Sequence, residues 1–193
     1  PVRIATSSFG GGSGMFATAD IHPGDMLFSV PRRLNIGLDV ALADSEMAAA
    51  FRAKAEAGEA MDVMCAHLAQ RHLCGGDAYL ATLPELGTTT SVQHWSDAEV
   101  ELLRGSAAHE QARLVREDAE LAAAFACTLA PLQQRFDAAR IATATRGAHN
   151  CILSRSFAVD VADPAARELI PLLDVLQHSE PPSVEYNIEW RPM

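Results

Sequence analysis

The sequence predicts an α+β fold, with small β-sheets built from the two chain ends and a mainly helical insertion between them. Three observations predict it. Short alternating runs and turn signals fill the chain before about residue 38. Alanine-rich sequence with leucines at helical spacing runs from Leu38 to Thr145. A two-residue period begins after Ile152. Neither β end could bury a core alone, so we expect the two ends to meet in space.

The first β segment contains three expected strands. Val2–Thr6 and Met15–Ala19 are separated by a glycine-rich turn at Phe9–Gly14. Pro23-Gly24-Asp25 is a strong turn signal, and Met26–Val30 follows it as a third apolar run. Two short strands around such a turn predict a β-hairpin centred on Pro23-Gly24-Asp25.

The helical middle of the sequence contains signals for where helices begin and end. Ser96–Glu99 has the Ser-x-x-Glu pattern of a capping box and predicts the start of a helix. Apolar residues at helical spacing from Leu121 to Phe136 predict a long helix that Pro131 kinks or divides. The connecting segments Tyr79–Glu85 and Thr88–Trp95 are predicted as loops.

Alternation resumes in the last part of the chain. Phe157–Val161 and Val184–Trp190 both alternate apolar with other residues and predict strands, the second with one wet face. The predicted division is therefore an N-terminal β part at 1–38, a helical insertion at 39–148 and a C-terminal β part at 149–193.

Leu169–Ser179 is an apolar run that contains Asp174 and ends in Gln177, His178 and Ser179. The pattern predicts a strand followed by a turn. A carboxylate inside such a run must find a partner, because its unsatisfied burial costs several kcal/mol, roughly. Asp174 and the polar end are therefore expected to lie where the chain's chemistry is.

Composition bounds the function. The 193 residues are 49% hydrophobic with a mean hydropathy of +0.04, which predicts a packed core. A net charge of −10 argues against a nucleic-acid partner, and no apolar run approaches the roughly 18–20 residues of a membrane helix. The four cysteines form no CxxC pair, so we expect free thiols in an intracellular compartment. The chain begins at Pro1 and ends at Met193, and both ends are expected to be cut.

Gly12–Ala17 matches the GxGxxA pattern of dinucleotide-binding loops. Such a loop needs a helix after it, and the Pro23-Gly24 turn follows too soon for one. Two interpretations stay open for the turn: a flexible surface loop, or a backbone cradle that a nucleoside-type ligand approaches closely.

Two other signals are weighed against ordinary structural roles. Cys65, His67, His72 and Cys74 suggest a metal site, but a helix places them on two different faces, so we expect no zinc ion. Arg155 stands at the expected start of the strand that includes Phe157, where it is either an edge arginine or a functional one.

Five motifs in order resemble SET-domain protein methyltransferases, in particular the Rubisco large-subunit methyltransferase-like subgroup with a helical insertion. They are GSGMFATADIHPGDMLFSVPRRL at 12–34, YLATLP at 79–84, HWSDAE at 94–99, SRSF at 154–157 and IPLLDVLQHS at 170–179. The resemblance covers almost the whole chain. It implies a protein substrate and S-adenosylmethionine as the cofactor.

The resemblance also implies a set of cofactor-binding residues. They are Ser13, Gly14, Met15, Phe16, Ser154, Arg155, Asp174, Gln177 and His178. The glycine turn would lie along the cofactor through its backbone. Arg155, with Ser154, would hold the carboxylate of the methionine end, and Asp174 would help to order the site. Gln177 and His178 stand where the family has an Asn-His pair.

The implied activity is that of a protein-lysine N-methyltransferase in the full-length form, in the cytoplasm, nucleus or plastid. The sequence departs from the family pattern in two ways. Gln177 replaces an asparagine, and the C-terminal segment with the family's active-site tyrosine is absent, since neither Tyr79 nor Tyr186 matches it. We therefore expect a C-terminally truncated chain that is inactive alone. The alternatives are a non-catalytic SET-like protein-binding module and a helical scaffold without a small-molecule site.

Overall fold

The structure is a computed structural model that describes residues 2–7, 12–44, 46–84, 86, 91–160, 163, 166–177 and 180–186. The strands are β1 (Val2–Thr6), β2 (Ser13–Ala17), β3 (Ser156–Ala158) and β4 (Arg167–Leu169). The helices are α1 (Leu38–Leu42), α2 (Ala48–Glu56), α3 (Ala60–Cys74), α4 (Asp97–Glu101), α5 (Ala107–Ala126), α6 (Ala130–Gln133) and α7 (Ala138–Arg155). Small sheets at the two ends and helices between them confirm the predicted α+β class.

The N-terminal sheet is the hairpin of β1 and β2, which pair antiparallel with Val2 opposite Ala17 and Thr6 opposite Ser13. The Ser7 amide donates to the Gly12 carbonyl at 2.9 Å and extends the ladder toward the glycine-rich turn. The strands at both sides of that turn are confirmed, and the turn itself lies mainly outside the described residues.

The hairpin predicted around Pro23-Gly24-Asp25 is wrong. The turn exists, with the Asp25 amide donating to the His22 carbonyl at 3.0 Å and the Asp25 carboxylate accepting from the His22 amide at 2.7 Å. Met26–Val30, however, is not a strand and has no ladder partner among the described residues. The turn signal is local, but a strand also needs a neighbour, and β2 pairs with β1 instead.

The helical core lies where α3, α5 and α7 pack against one another. α3 is buried from Asp62 to Gln70. Large, fully buried side chains from the core include Phe51, Val63, Leu68, Ile141 and Ile152. Each side chain of this size contributes roughly 1.5–3 kcal/mol by leaving water. None of the described helices is long and apolar enough to cross a membrane.

The predicted helix boundaries at Ser96 and Pro131 are confirmed. Ser96 caps α4, because the Glu99 amide donates to Ser96 Oγ at 3.3 Å and the Ser96 amide donates to Glu99 Oε2 at 2.7 Å. Pro131 lies in the first turn of α6 and separates it from α5. The two predicted loops contain single 3-10 turns, at Leu80–Thr82 and Val92–His94.

The residues weighed as metal ligands lie on α3. Cys65 and His67 are buried in the core, whereas Cys74 is exposed at the helix end. In the part of the chain that the structure describes, no three metal-binding side chains converge. All four cysteines are free thiols.

The N-terminal and C-terminal β parts of the chain meet at Ile36 and Leu169. The amide of each donates to the carbonyl of the other at 2.9 Å, which adds one bridge to the antiparallel pair of β3 and β4. Beside this bridge the buried Glu168 carboxylate accepts from Asn35 Nδ2 at 2.7 Å and from Arg32 Nη2 at 3.3 Å. The prediction that the two β parts of the chain lie together in space is confirmed.

Three local predictions in the C-terminal part need correction. Arg155 is the last residue of α7 and does not begin a strand, because the helix continues to it and β3 covers only Ser156–Ala158. A strand was expected within Leu169–Ser179, but the observed strand β4 already ends at Leu169, the first residue of that range. Within the range, Leu173–Val175 is a 3-10 turn. Val184–Tyr186 is not a strand, and the rest of that predicted element lies outside the described residues.

Candidate functional site

Arg155 is carried to the site by α7 and is held there by the start of β3. Ser156 Oγ donates to the Ile152 carbonyl in the last helical turn. Arg167 on β4 then donates to Ser156, from Nε to Oγ at 2.7 Å and from Nη2 to the carbonyl at 2.8 Å. These bonds fix the helix-to-strand junction. A cation in the last turn of a helix also interacts favourably with the helix dipole.

Arg155 and Asp174 form an ion pair at this junction. Nη1 of Arg155 lies 3.2 Å from Asp174 Oδ2 and 3.4 Å from the Asp174 carbonyl oxygen. The Asp174 side chain is 0% exposed, whereas that of Arg155 is 28% exposed. Both contacts use the same guanidinium nitrogen, and a guanidinium carries five N–H donors. Arg155 therefore neutralises a buried carboxylate and can present further donors to an anion.

Burial sets the protonation behaviour of Asp174. It raises the pKa of the Asp174 carboxyl above the ordinary value, and the hydrogen bond and charge of Arg155 oppose that rise. The carboxylate that the apolar run carries into the interior thus has the cationic partner that its burial requires. The sequence predicted the burial of Asp174 but did not identify Arg155 as its partner.

Tyr79 is the site residue that the sequence did not single out. Burial, and after it the charge of Asp174, raises the pKa of its hydroxyl. The Tyr79 hydroxyl and Asp174 Oδ1 are both buried, and neither makes a hydrogen bond of standard geometry within the described residues. The sequence signal for this tyrosine was the YLATLP motif at 79–84, one of the five motifs of the resemblance.

Gln177 and Gly14 connect the end of the 170–177 stretch to the N-terminal hairpin. A Cβ on Gly14 would lie 2.8 Å from Gln177 Nε2, so the absent side chain permits this close approach. The same amide donates to Ser7 Oγ at 2.6 Å. The Gln177 side chain therefore lies against the hairpin near its glycine-rich end, and its amide nitrogen is hydrogen-bonded to the Ser7 hydroxyl.

The rest of β2 lies along the same side of the site and contacts the 3-10 turn at Leu173–Val175. Gly14 is buried, Met15 and Phe16 are half-buried, and Ser13 is exposed. The guanidinium of Arg3 lies 5.7 Å from the centre of the Phe16 ring. The structure thus brings the predicted hairpin residues and the Asp174 turn together.

Two of the predicted site residues are not joined to this cluster. Ser154 is exposed, and its hydroxyl donates to the Asn150 carbonyl at 2.7 Å within α7. This bond engages the hydroxyl proton in the helix. His178 lies outside the described residues.

No family model matches the chain, and no curated protein is significantly similar to it. Solved structures do match. The SET domain of LSMT bound to lysine and AdoHcy has a TM-score of 0.70 and 22% sequence identity, over 96% of this chain and 41% of that one. Rubisco LSMT bound to AdoMet gives 0.68 and 23%, over 93% and 40%. The chain has the SET fold.

Rubisco LSMT bound to sinefungin and monomethyllysine also matches this SET fold, with a TM-score of 0.71 and 22% identity, over 98% of this chain and 43% of that one. The chain therefore spans about two fifths of the length of the structures that it matches. The fold expected from the five sequence motifs is confirmed. The assignment of individual site residues to a cofactor stays a prediction.

Proposed function

We propose that this chain is the cofactor-binding part of an S-adenosylmethionine-dependent protein-lysine N-methyltransferase. The observation that carries the proposal is the partly exposed side chain of Arg155, held by the buried Asp174 beside a glycine hairpin in a SET fold. The matching structures are named as LSMT bound to lysine, AdoHcy or AdoMet, which supports the same ligand class here. Methyl transfer is proposed for the whole protein, and cofactor binding for this chain.

The residues present fit such a cofactor. Its methionine end carries a carboxylate, and Arg155 has donors in addition to the nitrogen bound to Asp174. Asp174 Oδ1 is a buried acceptor without a standard partner in the described part of the chain. The backbone of β2 at Gly14–Phe16 supplies donors and acceptors next to this pair. When bound, S-adenosylmethionine supplies an activated methyl group.

Calorimetric titration of S-adenosylmethionine into the purified chain tests the proposal. Arg155→Gln removes the cation that would bind the carboxylate and should weaken binding at least about tenfold, the effect of losing a hydrogen bond between charged groups. Arg113→Gln is the matched control, because Arg113 lies on α5 in an exposed pair with Glu110. A folded wild-type chain that takes up no cofactor contradicts the proposal.

The acceptor is tested with the full-length protein. Incubation with isotopically labelled S-adenosylmethionine and a cell lysate should label protein, and mass spectrometry should locate the label on lysine side chains. Label on histidine instead would revise the acceptor, and absence of any labelled protein would count against a methyltransferase.

One observation favours the second candidate, a non-catalytic SET-like protein-binding module. The Gln177 amide, which stands at the family's asparagine, donates to Ser7 within the chain. If this bond closes the site, the wild-type chain will not bind S-adenosylmethionine, and Gln177→Asn will bind it. Binding by the wild-type chain removes the reason for this alternative.

A further inference from the structure

Arg167 begins β4 and lies opposite Ala158 of β3. Side chains two residues apart in a strand share a face, so the neighbour of Arg167 along that face of β3 is Ser156. A diagonal neighbour of this kind lies within reach of a long side chain. Arg167 makes the contact twice, from Nε to Ser156 Oγ at 2.7 Å and from Nη2 to the Ser156 carbonyl at 2.8 Å. One planar guanidinium therefore holds both the side chain and the backbone of a single residue.

Ser156 is the residue at which α7 ends. Its amide and its hydroxyl both donate to the Ile152 carbonyl in the last helical turn. The carbonyl groups at the end of a helix carry a partial negative charge, so a cation that binds there also stabilises that end electrostatically. The Arg167 clamp, which is the pair of bonds from Arg167 to Ser156, therefore fixes the end of α7 immediately after Arg155.

The clamp has a firm base, because β4 is also bound to the N-terminal part of the chain. Leu169 and Ile36 exchange amide-to-carbonyl hydrogen bonds at 2.9 Å. The buried Glu168 carboxylate accepts from Asn35 Nδ2 at 2.7 Å. β4 is thus held both by β3 and by the N-terminal part, and Arg167 connects this fixed strand to the end of α7.

Arg155 needs such support because its own side chain has a single anchor. Among the described residues its hydrogen bonds all come from Nη1, at 3.2 Å to Asp174 Oδ2 and 3.4 Å to the Asp174 carbonyl oxygen. A guanidinium held at one nitrogen can still turn about that contact. Fixing a long side chain costs up to about 2 kcal/mol in rotamer freedom, and a fixed backbone at its base limits the orientations that a ligand must restrict.

We propose that Arg167 is a positioning residue of the cofactor site: its clamp on Ser156 holds the end of α7 so that the Arg155 guanidinium is oriented toward the carboxylate of S-adenosylmethionine. This inference rests on the proposed function. It assigns Arg167 to the methionine end of the cofactor, because the clamp acts through Arg155 and Arg155 is the cation proposed to bind that end. Small errors in the placement of such a group are costly, since binding and alignment both depend on its geometry.

The first test measures the orientation of Arg155 directly and needs no cofactor. The order parameter of the Arg155 Nε–H bond is measured by NMR relaxation in the wild-type chain and in Arg167→Met, which keeps an apolar stem and removes all donors. The order parameter should fall in Arg167→Met, because the backbone that carries Arg155 loses its clamp. An unchanged order parameter in a folded Arg167→Met chain overturns the inference.

Arg146→Met is the matched control for this test. Arg146 lies on the same helix as Arg155, and it also makes two bonds with one guanidinium, from Nε and Nη2 to Glu120 at 2.7 and 2.9 Å. Its side chain is 28% exposed, as is that of Arg155. Arg146→Met should leave the Arg155 order parameter unchanged. An equal fall in both variants would show a general loosening of α7 and would contradict the clamp.

The second test compares two ligands by calorimetry. S-adenosylhomocysteine carries the amino-acid carboxylate, whereas methylthioadenosine has the same nucleoside and thioether without it. Arg167→Met should weaken binding of S-adenosylhomocysteine about tenfold and leave that of methylthioadenosine unchanged, because only the first ligand uses Arg155. An equal loss for both ligands would show a merely structural role and would overturn the inference. Failure of the wild-type chain to bind either ligand is a different result, because it removes the proposed function itself.

Two further variants separate the clamp from charge and from misfolding. Thermal unfolding first establishes that each variant is folded. Arg167→Lys keeps the charge but lacks the planar fork, so it should bind S-adenosylhomocysteine as weakly as Arg167→Met does. In an Arg155→Gln background, Arg167→Met should weaken binding no further. Full affinity in Arg167→Lys, or an undiminished effect in the Arg155→Gln background, would contradict a role through the clamp.

Discussion

Arg155 and Asp174 are 19 residues apart in the sequence, and their side chains meet with 3.2 Å between Nη1 and Oδ2. One partner ends a long helix, and the other lies in a 3-10 turn after β4. The carboxylate is fully buried while the guanidinium keeps some exposure. Because of this asymmetry, loss of the guanidinium and loss of the carboxylate have different consequences.

Arg155→Ala should destabilise the fold, because it leaves the buried Asp174 charge uncompensated. We expect a loss of about 3 kcal/mol in the free energy of unfolding at neutral pH. Burial already raises the folded pKa of Asp174 above its unfolded value, and the loss of Arg155 raises it further. The folded variant therefore binds the proton more readily, and its deficit relative to wild type should shrink as the pH falls from the variant's folded pKa toward the lower folded pKa of wild-type Asp174.

Urea unfolding at a series of pH values measures this effect. Arg113→Ala is the control, since its pair with Glu110 is exposed and its removal should change stability by less than about 1 kcal/mol at any pH. A deficit in Arg155→Ala that does not depend on pH would show that Asp174 is not the group responsible.

Gly147→Ala should destabilise the protein although alanine is the better helix former. A Cβ at Gly147 would lie 1.9 Å from the Leu86 carbonyl oxygen, which belongs to the backbone and cannot rotate away. Helix propensity favours alanine by about 1 kcal/mol, whereas overpacking of a tight contact costs about 1–3 kcal/mol or more. We expect steric conflict to prevail. Ala124→Gly, at an exposed position on α5, calibrates the propensity term in the same unfolding assay.

The helical part of the fold was predictable because its determinants are local. The bonds that cap α4 join Ser96 to Glu99, and Pro131 acts on its own turn. The β parts were predicted less well. Nothing near Met26–Val30 reveals that β2 already pairs with β1, and the alternation around Phe157 does not show that α7 extends to Arg155.

The candidate site shows the same limit. The apolar run around Asp174 predicted its burial, but its ion-pair partner Arg155 comes from α7. Hydrogen-bond donors for a buried group are chosen by three-dimensional proximity, which one sequence does not encode at a fixed spacing. The family resemblance supplied Arg155 as a cofactor ligand and left its pairing with Asp174 unrecognised.

Gly14→Ala should disturb Gln177 specifically. The added Cβ would lie 2.8 Å from Gln177 Nε2, the far end of a flexible side chain, so the glutamine can move and give up its bond to Ser7. We expect a loss of about 1 kcal/mol in stability, the ordinary net value of one hydrogen bond. In a Gln177→Ala background the same substitution should be nearly neutral. Equal costs in both backgrounds would place the conflict elsewhere in the hairpin.

His67 should make stability fall in mild acid. Its ring is buried on α3, with its centre 6.2 Å from that of Phe51 in an edge-on arrangement. Burial lowers the pKa of His67 to about 4; Arg71 acts in the same direction and Asp44 opposes it. The unfolded chain, in which a histidine titrates near about 6.5, then binds the proton more readily than the folded one.

The free energy of unfolding should accordingly drop as the pH falls from about 6.5 to about 4, by about 3 kcal/mol in total from this residue. Below that range the loss should stop growing, because both states carry the proton. His67→Gln removes the titration and should flatten this part of the stability–pH curve. The same acid-dependent loss in His67→Gln would mean that another group is responsible.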